Sequence, residues 1–127
     1  MGYRNDVRIC MSEDNFYTLI EQGRKEGFAD HNYLLDENAM KICKKKDGIV
    51  VFGWDWIKWE EDFRDVEFVM NFLDNMREEG YPFQFVRIGE DLDDNEEMWY
   101  RGPNDDDYRC DVIGISREIY VDISADE

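Results

Sequence analysis

Residues 39–56 read AMKICKKKDGIVVFGWDW, and the Asp47-Gly48 pair at their centre decides how the neighbouring chain folds. Asp-Gly accepts positive φ at both positions of a two-residue hairpin turn at little steric cost. A two-residue loop fixes the register, so Lys46 is expected opposite Ile49, Cys43 opposite Phe52, and Lys41 opposite Trp54. One hairpin face then collects Lys41, Cys43, Lys45, Val50, Phe52, Trp54 and Trp56. The other collects Met40, Ile42, Lys44, Ile49, Val51, Asp55 and Ile57, so both faces are partly apolar.

Upstream, Val7, Ile9 and Met11 alternate with Arg8 and Cys10, which reads as a strand with one buried face. Ser12 follows as a helix N-cap, with Glu13 and Asp14 in the first turn, where a helix N-terminus favours negative charge. Phe16, Leu19 and Ile20 recur at helical spacing, and Gly23 or Gly27 ends that helix. Downstream, residues 62–79 carry a stripe of Phe63, Val66, Val69, Met70, Leu73 and Met76, widened by Phe68 and Phe72. Gly80 ends this second helix and Pro82 blocks its continuation. Residues 83–89 and 96–100 read as strands, 102–105 as a turn, and 110–123 as one long strand or two shorter ones. Residues 28–38 are ambiguous, with Tyr33, Leu34 and Leu35 suited to a short helical turn.

The order predicts an α+β fold: a ferredoxin-like βαββαβ antiparallel sheet, two helices on one face, and a C-terminal strand extension. At 127 residues, 43% apolar and 15% aromatic, the chain suits one domain spanning 1–127 with a real core and does not suit a disordered tail. No stretch of about 18 apolar residues is present, so no membrane span is expected. The first residues lack an apolar signal region, and the odd, widely spaced Cys10, Cys43 and Cys110 suit reduced thiols. A cytoplasmic setting is expected. His31 is the sole histidine, leaving little for a histidine-based zinc site or triad.

The net charge is −17 and unevenly placed. Residues 1–59 hold nine basic and ten acidic residues, whereas 60–127 hold six basic and 22 acidic ones. Every lysine precedes Trp59. Such a balance argues against direct binding to nucleic acid or membrane, and its asymmetry suggests a region that faces a partner.

The acidic residues form two tracts. Glu90, Asp91, Asp93, Asp94, Glu96 and Glu97 make the first; Asp105, Asp106, Asp107 and Asp111 make the second, with Trp99 and Tyr100 between them. They read either as solvated loops or as a mimic of a nucleic-acid backbone, which carries one charge per ~1.7 Å of duplex axis. Asp91-x-Asp93-x-Asn95 copies the start of a calcium loop. Its sixth position is Glu96 where glycine is needed, and its twelfth is Gly102 where glutamate is needed. No metal or cofactor is expected.

Phe52, Trp54 and Trp56, with Phe85 and Arg87 from the next strand, are expected on the sheet face away from the helices. They form either a second small core under the C-terminal segment or a protein-binding or dimer surface. Arg87 and Arg117 interrupt apolar strands and are expected to pair with carboxylates such as Glu90 or Glu118. No nucleophile and base keep company, so an enzyme is not expected.

Several stretches carry a resemblance. Gly2-Tyr3-Arg4-Asn5-Asp6-Val7, Trp54-Asp55-Trp56-Ile57-Lys58-Trp59, Phe85-Val86-Arg87-Ile88-Gly89-Glu90-Asp91 and Ser116-Arg117 are similar to motifs of a family of small acidic phage and mobile-element proteins. The motifs are short and scattered over most of the chain, and residues 24–40 match none. The resemblance implies a viral or mobile-element setting and transfers no functional residues.

The expected function is a non-enzymatic counter-defence inhibitor of anti-CRISPR type, in which the acidic tracts block a basic groove on a nucleic-acid-binding host protein. Two alternatives stand beside it. One is a homodimeric module using the aromatic face; the other is a small-molecule-binding protein with a pocket rimmed by Arg8, Arg87 and Arg117.

Overall fold

Local signals set most of the element boundaries. The computed structural model describes residues 3–30, 33–60, 62–91, 93–100, 113–115 and 119–121. The chain runs β1 (Asn5–Ser12), α1 (Glu13–Lys25), a 3₁₀ turn (Glu37–Ala39), β2 (Ile42–Lys46), β3 (Ile49–Ile57), α2 (Arg64–Glu79), β4 (Phe83–Gly89), β5 (Asn95–Tyr100), β6 (Ile113–Ile115) and β7 (Ile119–Val121). Ser12 caps α1, its Oγ accepting the Asn15 N–H at 3.2 Å. Gly80 closes α2 at φ 87°, where its N–H and that of Tyr81 reach back to Arg77 and Met76. Asp47 and Gly48 take φ of 55° and 82°, and the hairpin pairs Lys46 with Ile49 and Cys43 with Phe52 as expected. The last expected strand is two pieces, since β6 and β7 pair with each other as a separate antiparallel hairpin.

The main sheet is antiparallel with order β2-β3-β1-β4-β5. Its two edges differ in charge. β2 carries Lys44, Lys45 and Lys46, whereas β5 begins Asn95-Glu96-Glu97 and follows the acidic β4–β5 turn. The two helices share one core against a single sheet face. Phe16, Leu19 and Ile20 of α1 and Val66, Val69, Leu73 and Met76 of α2 pack with Val7, Ile9 and Met11 of β1. Among the described residues, no helix is long and apolar enough to cross a membrane.

The register of β1 corrects the expected placement of the aromatics. Ile9 lies opposite Phe52 on one side and Phe85 on the other, and Val7 lies opposite Trp54. Directly opposed residues point to the same face. Phe52, Trp54 and Phe85 therefore join Val7, Ile9 and Met11 under the helices, each 0% exposed. They form neither a second core nor an open interface. A chain of ring contacts runs from Phe16 to Phe52 (4.9 Å), Trp54 (5.8 Å), Trp59 (5.7 Å) and Phe85 (5.9 Å). The Trp54 Nε1–H donates to the Leu34 carbonyl at 2.9 Å, satisfying a buried polar group.

The opposite sheet face is covered as well. Arg8, Cys10, Val51, Gln84 and Val86 are all buried there, and β6 lies against β4. Arg8 is engaged by its own strand and by β3. Its Nη1 donates to the Val7 and Trp54 carbonyls, each at 3.0 Å, and its Nη2 meets Asp55 Oδ1 at 2.7 Å.

Candidate functional site

The end of the sheet formed by the start of β1, the end of β3 and the β4–β5 turn gathers the chemistry the sequence pointed to. Asn5 of β1 lies opposite Ile57 on one side and Gly89 on the other. With strands about 4.8 Å apart, the end of β3 and the acidic turn sit roughly 10 Å from each other.

Arg87 organises the turn. Its guanidinium makes a two-pronged pair with Asp94, Nη2 to Oδ1 at 2.9 Å and Nη1 to Oδ2 at 3.3 Å. Nη1 also donates to Asn5 Oδ1 at 2.8 Å, and Nε reaches Glu96 Oε1 at 3.3 Å. The Tyr3 hydroxyl donates to Asp94 Oδ2 at 2.6 Å and accepts the Asp91 N–H at 2.9 Å. The Asp94 carbonyl accepts the Gly89 N–H at 2.7 Å, closing the turn. The Arg87 guanidinium, and then the Tyr3 hydroxyl, hold the Asp94 carboxyl below the usual carboxylate range, while Asp94 raises the pKa of Arg87 in return.

This network sorts the first acidic tract. Asp94 and Glu96 are committed to Arg87, and the Glu90 carboxylate accepts the Arg4 N–H at 2.6 Å. The expected pairing of Arg87 with Glu90 is thus replaced by pairing with Asp94 and Glu96. Asp91, Asp93 and Glu97 are exposed, and their carboxylates make no ion pair among the described residues. Trp99 and Tyr100 do not share a face of β5. As neighbours on a strand they face opposite sides: Tyr100 packs toward Phe83 at 6.5 Å between ring centres, and Trp99 is 48% exposed. Asp105, Asp106, Asp107, Asp111 and Arg117 lie outside the described residues.

Trp56 stands apart from the rest of the expected aromatic face. The register of β1 and β3 shifts between Asn5 and Val7, so that β3 carries an extra residue at Asp55 and Trp56. Trp56 has φ 56°, a left-handed conformation that is strained for a bulky residue, and its side chain is 64% exposed. Its backbone N–H is held by Asp6 Oδ1 at 2.8 Å. Nothing local in the sequence foretold this, because the strain arises from pairing with a strand about 50 residues upstream. Tyr3 and Asn5 were missed as clamp residues for the same reason.

Among the described residues, no three His, Cys, Asp or Glu side chains are grouped to hold a metal ion. The arrangement presents exposed carboxylates on a clamped turn, at the same end of the sheet as the exposed Trp56. Comparison with known proteins gives no match to a family model, a curated protein or a solved structure.

Proposed function

We propose that this protein is a non-enzymatic binding protein of phage or mobile-element origin that inhibits a basic, nucleic-acid-binding host protein. It would act in the host cytoplasm as a counter-defence protein of anti-CRISPR type. The sheet order, with β1 between β3 and β4 and the helices bridging β1 to β2 and β3 to β4, favours a ferredoxin-like scaffold extended by β5.

One observation carries the reading. The Arg87–Asp94–Tyr3–Asn5 clamp pins the β4–β5 turn from both ends of the chain segment, so Asp91, Asp93 and Glu97 project from a fixed frame. Carboxylates on a fixed backbone lose less conformational freedom on binding than those of a flexible acidic tail, which must first be ordered. Screening limits their reach to about 8 Å at physiological salt, so the contact is close and shape-dependent. Trp56, exposed at the same end of the sheet, supplies the apolar anchor that such interfaces use.

The test is capture and competition. Immobilised protein should retain a basic host protein at low salt, and duplex nucleic acid should displace it. Joint replacement Asp91→Lys, Asp93→Lys and Glu97→Lys leaves the clamp intact and should abolish retention. Undiminished retention by the folded triple variant would refute the reading.

A further inference from the structure

A second site lies away from the acidic end, in a groove of about 660 Å³ between α1 and the edge strand β2. That volume is within the ~300–1,000 Å³ typical of small-ligand pockets. Helical spacing brings Phe16, Ile20 and Arg24 of α1 to one side of it, and Met40, Cys43 and Lys45 line the other. Phe16 and Ile20 are nearly fully buried and make an apolar floor.

The cations are placed for a ligand. Lys45 Nζ donates to the Tyr17 hydroxyl at 2.7 Å and stands 4.6 Å from the centre of that ring. The Tyr17 hydroxyl in turn donates to Glu13 Oε2 at 3.1 Å, so it meets Lys45 as an acceptor. An ammonium carries three donors, so two remain for a ligand. Arg24 makes no side-chain hydrogen bond or ion pair among the described residues. Glu21, the acidic group at the rim, is drawn toward Lys25 at 3.9 Å. Both cations lie in residues 1–59, where basic and acidic residues nearly balance, and they face one apolar-floored groove.

We propose that this groove binds a small amphipathic anion, an aromatic or aliphatic carboxylate or sulfonate. Its apolar body lies against Phe16, Ile20 and Met40, and its charged head sits between Lys45 and Arg24. The site is independent of the acidic end, and its failure leaves the protein-binding reading untouched.

The probe is 8-anilinonaphthalene-1-sulfonate, titrated by fluorescence and competed with decanoate. Saturable one-to-one binding is expected. The double variant Arg24→Met, Lys45→Met keeps the apolar floor and should bind about tenfold more weakly or worse, the loss of two charge-assisted contacts. The Cys43 thiol is exposed in the same groove. Its alkylation by iodoacetamide, read by peptide mass mapping of the unaltered protein, should slow severalfold when the probe saturates. Equal affinity in the double variant, or a Cys43 alkylation rate indifferent to the probe, would overturn the proposal. The second readout stands even if the double variant does not fold.

Discussion

The carboxylate of Asp6 accepts the backbone N–H of Trp56 at 2.8 Å and holds that residue in a left-handed conformation. A positive φ costs a side-chain-bearing residue roughly 1–2 kcal/mol, and glycine escapes that cost. Trp56→Gly should therefore be more stable than Trp56→Ala by about 1 kcal/mol, the reverse of the usual order in a strand. Urea unfolding of the two variants measures the difference. Asp6→Ala should cost about 0.5–1 kcal/mol, the net value of one hydrogen bond at an exposed N–H that water can reach.

Trp54 and Trp56 are two residues apart and should respond oppositely to truncation. Trp54 is fully buried, touches Phe52 and Trp59, and donates to Leu34. Trp54→Ala should cost about 3–5 kcal/mol. Trp56→Ala should leave the melting temperature nearly unchanged and weaken partner capture. A thermal melt paired with the capture assay separates the two roles.

Gly53 sits where β3 presses on β1. A Cβ at this position would collide with the Val7 carbonyl oxygen, which is backbone and cannot swing aside. Gly53→Ala should destabilise by more than about 3 kcal/mol or yield insoluble protein. Gly48→Ala, where a Cβ would meet nothing within 4 Å but the backbone φ is +82°, should cost only about 1 kcal/mol. Soluble yield and chemical unfolding compare the two.

The clamp makes stability depend on pH in a definite direction. The pKa of Asp94 is lowered in the folded protein, first by Arg87 and then by Tyr3, so folding favours its ionised form. That contribution is complete above the unfolded carboxyl pKa of about 3.9 and is lost as pH falls through the lower folded value. Asp94→Asn should thus be less stable than the parent chain at pH 7, with the gap closing below about pH 4. Denaturant midpoints measured across that range check the sign.

The parts of the fold legible in the sequence were those with a local cause. Asp47-Gly48 announced its turn and register, Ser12 its helix start, Gly80 its helix end, and the 62–79 stripe its helix. Which face of β3 meets the helices was not legible. β1 alternates, with Val7, Ile9 and Met11 against Asp6, Arg8 and Cys10, but β3 is apolar on both faces because both are buried, so its alternation does not orient it. The choice rests on Ile9 standing opposite Phe52, a pairing set by tertiary packing across about 40 residues. At the site, the concentration of acid around 90–97 was visible. Its division into Asp94 and Glu96, spent on Arg87, and Asp91, Asp93 and Glu97, left outward, required Tyr3 and Asn5 from the far end of the chain.

The strand order has a consequence for how the protein meets others. Lysine-bearing β2 and carboxylate-bearing β5 lie at opposite margins of the sheet, four strand spacings or roughly 19 Å apart. Charge is thus separated across the width of the main sheet, a contrast between its two margins that favours the approach of a cation to β5 over β2 and fades as ionic strength rises.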